Sequence, residues 1–309
     1  MGIQSATTST TVEYPTQPIN IMAPASPGGG WDSTARAMQT ALAATTNQTV
    51  QVYNVSGAGG TIGLAQFVNE AKGKPHELMV GGLVMVGAIQ TNKAPVNLSQ
   101  VTPLALLTAE AEAIVVPADS KYQTMQELIE DFKANPTAIS WGGGSAGGTD
   151  HILVGLIAKA VGVSPAQINY IAYSGGGEAT AAILSGAVTA GVSGVSEFAE
   201  QVAAGTMRML AVSSEQPIEG VNAPTLKEAG IDVALMNWRA VFGAPDLTAE
   251  QRAAVIAALE KMHASKEWQD ALAKNGWTDY FRAGDEFSAF LNNEITRIEA
   301  VLRDLGLIQ

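Results

Sequence analysis

Short, almost wholly apolar runs alternate with helix-period segments through most of the chain, and this alternation restricts the fold more than any single motif. The runs are 19–25 (INIMAPA), 50–55 (VQVYNV), 77–82 (ELMVGG), 113–118 (AIVVPA) and 138–143 (AISWGG). They continue at 168–173 (INYIAY), 189–194 (TAGVSG), 208–214 (RMLAVSS) and 239–245 (RAVFGAP). A strand that is apolar on both faces is a strand covered on both faces, which points to parallel sheets flanked by helices. The fold class is therefore α/β.

The segments between carry helix signals. Residues 34–44 put Ala35, Met38, Ala41 and Leu42 on one face, and residues 150–161 do the same with Leu153, Leu156, Ile157 and Ala160 before Gly162 as a C-cap. Thr124 with Glu127, and Thr248 with Gln251, have the spacing of capping boxes, and 285–304 reads as a long amphipathic helix. A length of 309 residues suits two domains. Lys and Arg number 17 against 29 Asp and Glu, a net charge of −12, which argues against a nucleic-acid partner. With no cysteine, disulfides and thiolate sites are excluded. The first residues lack the basic-then-apolar pattern of a signal peptide. The stretch 78–89 (LMVGGLVMVGAI) is too short to span a bilayer and reads as a buried strand and the turn after it.

Four strand-to-helix junctions are rich in glycine: PGGGWDST (27–34), NVSGAGGTIG (54–63), GGGSAGGTDH (142–151) and YSGGGEA (173–179). The first turn of a helix leaves amide N–H groups without internal partners, and glycine lets that backbone approach a ligand closely, so each junction is a potential anion seat. Each is equally a tight turn capped by its own acid or hydroxyl, Asp32 or Ser33 in the first and Glu178 in the fourth. The first has no Gly-Lys-Ser/Thr and is not a Walker loop; the second has Ile62 where a dinucleotide fingerprint needs its third glycine. The third matches G-x-S-x-G around Ser145, the context of a hydrolase nucleophile. Only His76, His151 and His263 are available as its base, and none sits where a triad histidine should, so an enzyme is the competing reading. Scattered histidines and no clustered carboxylates argue against a metal site, and no cofactor is expected. Two similar junctions in two halves suggest two α/β lobes that each offer a helix N-terminus to a shared cleft.

At these residues the chain resembles the substrate-binding proteins of tripartite tricarboxylate transporters, the Bug or TctC-like receptors. The matching pieces are PGGGWDSTAR, VYNVSGAGGTIG, LMVGG, VVPADS, SWGGGSAGGTDH, INYIAYSGGGEA, GVSG and NWRAVFGAP, in family order over roughly residues 19–245. The resemblance implies a type II periplasmic-binding-protein fold: two lobes with parallel-sheet cores, a ligand cleft between them, and closure by a hinge. Lobe one is expected at 12–113 and 238–309, lobe two at 114–237, with 1–11 a disordered or added arm. The implied function is capture of a small di- or tricarboxylate, or a related organic acid, and its delivery to membrane transporter subunits. The implied protein is extracytoplasmic, monomeric and not an enzyme. The implied contacts are Gly29, Gly30, Trp31, Asp32 and Ser33 on one lobe and Ser145, Ala146, Gly147, Gly148 and Thr149 on the other. Ala58, Gly59, Ser174, Gly175 and Ser193 would add secondary walls. Trp31 is either a specificity wall or an anchor between loop and lobe. Arg239 is either the counter-charge for a second carboxylate or a partner in a surface or hinge salt bridge.

Overall fold

The computed structural model describes residues 11–173 and 176–309; the expected arm at 1–11 falls, but for its last residue, outside them. Its first half runs β1 (Ile19–Ala23), α1 (Gly30–Thr46), β2 (Val50–Asn54), α2 (Thr61–Glu70), β3 (Glu77–Gly82), α3 (Leu83–Thr91) and β4 (Thr102–Pro117). Next come α4 (Met125–Ala134), β5 (Ser140–Gly143), α5 (Thr149–Val161), β6 (Asn169–Ala172), α6 (Gly176–Leu184), β7 (Ala190–Gly194), α7 (Val195–Ala203) and β8 (Met207–Val212). The chain ends with β9 (Met236–Gly243), α8 (Ala249–Ala264), α9 (Lys266–Asn275), β10 (Thr278–Ala283) and α10 (Gly284–Asp304).

Strand β4 belongs to two sheets. Its first part, through Ala111, lies between β9 and β10 in a sheet ordered β2-β1-β3-β9-β4-β10. From Glu112 onward it pairs with β7 and β8 in a second sheet ordered β8-β4-β7-β5-β6. The parallel core expected from the apolar runs is present in both, as β2-β1-β3 and as β7-β5-β6. The strands that join the halves, β4, β8, β9 and β10, are antiparallel to their neighbours. A strand that enters one sheet and leaves through another runs against the grain of at least one parallel core, so both sheets become mixed.

Local expectations hold where the signal is local. Ala35, Met38, Ala41 and Leu42 are all buried beneath α1, Gly162 ends α5 at φ 77°, and Thr248 and Gln251 form a reciprocal capping box. Thr124 caps the Glu127 amide, but the Glu127 carboxylate accepts from Gln123 N at 3.1 Å, one residue earlier than a capping box requires. The turn expected after β3 is the helix α3; its residues LVMVGAIQT are buried almost all round, which erases helical periodicity. The first half of β4, whose apolar run is only Leu104–Leu107, and the whole of β10 were not among the expected strands. Helix α5 buries Ile152, Val154 and Ala158 beside the expected Leu153 and Ile157, whereas Ala160 is exposed. The reason is α10, which packs on α3 and on α5 and so covers a second face of that helix.

One apolar core is consequently continuous between the sheets, running from Leu64, Phe67 and Met79 through Phe287, Leu291 and Val301 to Ile152, Leu153 and Trp141. A second core lies under α1, α8 and α9, and a third under α6 and α7. Helix α10 is also pinned by a buried acid: Glu294 accepts from Trp238 Nε1 at 3.1 Å and pairs with Arg297 at 2.8 Å. At the α5–α10 contact, a Cβ on Gly155 would stand 3.0 Å from Val301 Cγ1 and 3.2 Å from Leu305 Cδ2. Gly155→Leu is therefore expected to destabilise by about 1–3 kcal/mol through overpacking. Ala160→Leu, on the exposed side of the same helix, should stay within about 0.5 kcal/mol of the parent. Urea unfolding midpoints of the two variants check this.

Candidate ligand-binding cleft

The polar floor of the molecule is written in one strand. Residues 108–113 of β4 read Thr-Ala-Glu-Ala-Glu-Ala. Strand periodicity puts Thr108, Glu110 and Glu112 on one face, while Ala109, Ala111 and Ala113 turn into the cores. Antiparallel pairing sets Arg239 opposite Thr108, Asn237 opposite Glu110, and Gly194 opposite Glu112. A cavity of about 300 Å³ lies over this face where the two sheets meet. Its walls are Arg239 and Asn237 from β9, Val84 from α3, the loop entering α5, and Ser193, Gly194 and Glu197 at the β7–α7 junction. A recess of about 260 Å³ continues from it past Gly144, Ser145 and Glu197 to Tyr173, Thr180 and Phe198.

The loop into α5 is shaped by its own acid. Asp150 Oδ2 accepts from Gly144 N at 2.8 Å, and Tyr170 Oη donates to Gly144 O at 2.8 Å, which closes the turn over β5. The loop into α1 repeats the device: Asp32 Oδ2 accepts from Gly28 N at 2.9 Å. The helical ladder of α5 begins with Ile152 N on Gly148 O, so the Thr149, Asp150 and His151 amides precede it. They leave partial positive charge at the cleft, roughly half a unit for a whole helix.

Arg239 closes the opposite wall. Its Nη2 is 3.5 Å from Glu110 Oε2 and its guanidinium lies 5.6 Å over the Trp277 ring. It also lies across the N-terminus of α1, where a Cβ on Gly30 would fall 2.5 Å from Nη2, so only glycine admits this approach. Arg239 thus lines the cavity and also forms a salt bridge at the junction of the sheets.

Of the residues the sequence singled out, Ser145, Gly148, Thr149, Ser193 and Arg239 line the cavity. Ala146 is exposed beside them, and Gly29 is exposed at the N-cap of α1. Gly147 turns away, its Cα facing Thr91 of α3 and Leu307. Asp32 is buried and committed to Gly28 N, Asn54 Nδ2 and Arg36 Nε. Ser33 and Asp32 border a separate recess beside α9. The Trp31 indole lies against Gly60 and Gly82 and packs on two cores, as an anchor between loop and lobe would. Ala58 and Gly59 dock on α3, where Ala58 O accepts from Asn92 Nδ2 and Thr61 Oγ1 and Gly59 meets Ala88. Ser174 and Gly175 lie outside the described residues. Sequence reasoning passed over Glu110, Glu112, Asp150, Glu197 and Asn237; the alternating TAEAEA was the available signal.

The expectation of no clustered carboxylates is corrected here, because folding brings Glu110, Glu112, Asp150 and Glu197 to one cavity. Among the described residues no group of acids and histidines is arranged to hold a metal ion. The hydrolase geometry is also missing. His151 Nδ1 accepts from Gly147 N at 3.1 Å and its ring stacks on Tyr170, with burial lowering its pKa. His76 is engaged by Thr16 and Gln17, and His263 by Asp279.

Burial pushes the Glu112 carboxyl well above its ordinary value of 4.5, reinforced by its contact with Asp150 and by the charges of Asp150, Glu110 and Glu197. The folded state therefore holds a proton that the unfolded chain has released above about pH 4.5. Stability from this group is fully present below that pH and is lost as pH rises through the folded value. Asp32 works in the opposite sense: burial opposes its ionisation, yet hydrogen bonds from Asn54, Gly28 and Arg36 together lower its pKa. Its contribution is present above the ordinary value of 3.8 and is lost as pH falls through the lowered one. Glu112→Gln should flatten the decline of stability on the alkaline side, and Asp32→Asn the decline on the acid side, both read from urea unfolding across pH.

Comparison with known proteins places this geometry in a family. Residues 34–307 match the family described as the tripartite tricarboxylate transporter family receptor. The chain is 27% identical over 298 residues to the protein BugT of Bordetella pertussis, covering 95% of this chain and 90% of that one. A TctC solute-binding protein from Polaromonas, solved without ligand, superposes with a TM-score of 0.81 at 27% identity, over 95% of this chain and all (100%) of that one. MatC of Rhodopseudomonas palustris, solved with bound malate, shares the fold with a TM-score of 0.71 at 20% identity, over 94% of this chain and 100% of that one. These relatives are solute-binding receptors rather than enzymes, and among the described residues no helix is long and apolar enough to cross a membrane. The match over almost the whole chain, together with the shared architecture, makes this protein a member of the tripartite tricarboxylate transporter receptor family.

Proposed function

We propose that the protein is an extracytoplasmic receptor that captures a small organic acid between its two sheets and delivers it to membrane transporter subunits of the tripartite tricarboxylate type. The observation that carries the reading is the meeting, over one cavity, of the α5 N-terminus from one sheet with Arg239 from the other. Amides of Thr149 and Asp150 and the hydroxyls of Ser145 and Thr149 are donors suited to one carboxylate. The Arg239 guanidinium suits the opposite end of the same ligand, where two N–H groups fork onto two oxygens. A volume of about 300 Å³ fits a small metabolite. The malate bound by MatC is an acid of this size class.

The two lobes in this reading are 12–113 with 238–309, and 114–237. The change of β4 partners between Ala111 and Glu112, and the return of the chain in β9 at Met236, support those boundaries. Helix α10 packs on both sides and acts as a clamp behind the cleft, so lobe movement pivots on β4, β9 and α10. The monomeric state and the periplasmic location belong to the same proposal.

Thermal-shift and calorimetric titration against small mono-, di- and tricarboxylates tests it; stabilisation by nucleotides and by no acid would contradict it. Arg239→Gln is expected to weaken binding by about 2–4 kcal/mol, since it removes a desolvated charge partner. Ser145→Ala should cost only about 0.5–1.5 kcal/mol, the worth of one hydrogen bond. The parent protein should remain unlabelled at Ser145 by a fluorophosphonate.

A further inference from the structure

We propose that the ligand of this cleft carries a protonated amine beside its carboxylate, with the ammonium seated against Glu112 and its neighbouring acids. The proposal rests on the carboxylate-receptor reading above and narrows it to amino acids and their ω-amino relatives.

Charge balance is the first observation. Glu110, Glu112, Asp150 and Glu197 face the cavity with Arg239 as the cation among its lining residues. That cation is already opposite Glu110 at 3.5 Å. Asp150 spends one oxygen on Gly144 N at 2.8 Å. Glu197 stands beside Gly194 near Glu110, its Cγ 3.9 Å and Glu110 Oε2 3.7 Å from where a Cβ on that glycine would stand. A simple dicarboxylate adds two negative charges to this set, and an uncompensated charge in a desolvated site is strongly unfavourable.

The second observation is independent of the cluster's charge. Glu112 is 2% exposed and, although its carboxyl contacts Asp150, its Oε2 is a buried acceptor that receives no hydrogen bond; Thr149 is 7% exposed and its Oγ1 is likewise buried without a partner. Both residues line the same cavity, Glu112 from β4 and Thr149 from the first turn of α5. Buried polar atoms are almost always satisfied, so this pair marks a place where a ligand completes the bonding. An ammonium brings up to three donors in a compact group and a positive charge, and Thr149 Oγ1 can accept from it or donate to the adjoining carboxylate. A metal ion is the other way to neutralise the cluster, but among the described residues no three of these groups are arranged to bind one.

The test is titration calorimetry with matched probes: aspartate against succinate, glutamate and 4-aminobutyrate against glutarate, and 1,4-diaminobutane as an amine without a carboxylate. Each is run in buffers of different ionisation enthalpy. The groups facing Glu112 are Asp150, Glu110, Glu197, Tyr170 and Arg239. An ammonium draws its proton off, so binding should release protons and tighten as pH rises. At least one amino acid should bind about 10-fold or more tightly than its matched acid. Glu112→Gln should reduce that affinity about 100-fold, and Glu197→Gln, at an exposed position, should reduce it less, with unchanged far-UV circular dichroism in both.

Equal or tighter binding of succinate or glutarate, with proton uptake, overturns the amine assignment and leaves the carboxylate receptor standing. Acid binding that requires added Ca²⁺ or Mg²⁺ overturns it in favour of a chelate. Binding of the diamine alone overturns the carboxylate reading and this inference with it, as does the absence of binding by every probe to about 10 mM.

Discussion

Everything that distinguishes this molecule follows from one strand shared between two sheets. Because β4 changes partners between Ala111 and Glu112, the sheets meet over its polar face, and the polar side chains at that seam belong to none of the apolar cores. A strand through two packed halves is apolar wherever helices cover it, and in β4 the residues Leu104 to Leu107 and Ile114 to Val116 are buried aliphatics. Only the intervening TAEAEA alternates, and the alternation is what turns a crossing strand into the floor of a cleft. The same geometry brings Arg239 of β9 and the first turn of α5 to that floor from opposite sides.

The cleft combines two kinds of electrostatics that bulk charge does not reveal. Helix α5 and Arg239 offer positive potential in a protein whose net charge is −12, whereas Glu110, Glu112, Asp150 and Glu197 crowd acidic groups into a small volume. Burial first, and then the contact with Asp150 and the charges around it, favour the neutral form of Glu112. Crowding acids in this way weakens the folded state as pH rises through the raised Glu112 value, where the proton is lost. The tie of Asp32 to Gly28 N shows the contrast. There an acid of almost the same sequence context is fully used by Asn54, Arg36 and the backbone, and it holds a loop in place.

Local signals in the sequence translated into structure: the apolar runs became strands, parallel in β1, β2, β3, β5, β6 and β7 and antiparallel in β4, β8 and β9, and glycine-to-hydroxyl transitions became the starts of α1 and α5. Ser145 and Thr149 were legible because they stand at the start of α5, whereas Ser193 and Arg239 came with the family resemblance; all four line the cavity. Helix α3 was not legible, since a helix buried almost all round has no periodicity to read. Strand β10 was not either, for its residues Thr278 and Asp279 are exposed and its partner strand is distant in sequence, Thr278 pairing with Ala109, 169 residues away. The acids of β4 were missed for a third reason. Two glutamates in an apolar stretch look like the end of a strand, and only pairing with two sheets at once makes them its centre. Trp31 shows the converse, a conspicuous residue in a glycine-rich loop that packs against Gly60 and Gly82.

The central claim is that a ligand carboxylate is clamped between the α5 N-terminus and Arg239. A crystal structure of the complex with the tightest-binding acid tests it most directly. The account predicts carboxylate oxygens within hydrogen-bond distance of the Thr149 amide and of the Arg239 guanidinium, with both sheets contributing contacts. Electron density for the ligand at another recess, or contacts from one sheet alone with Arg239 still turned to Glu110, would contradict it.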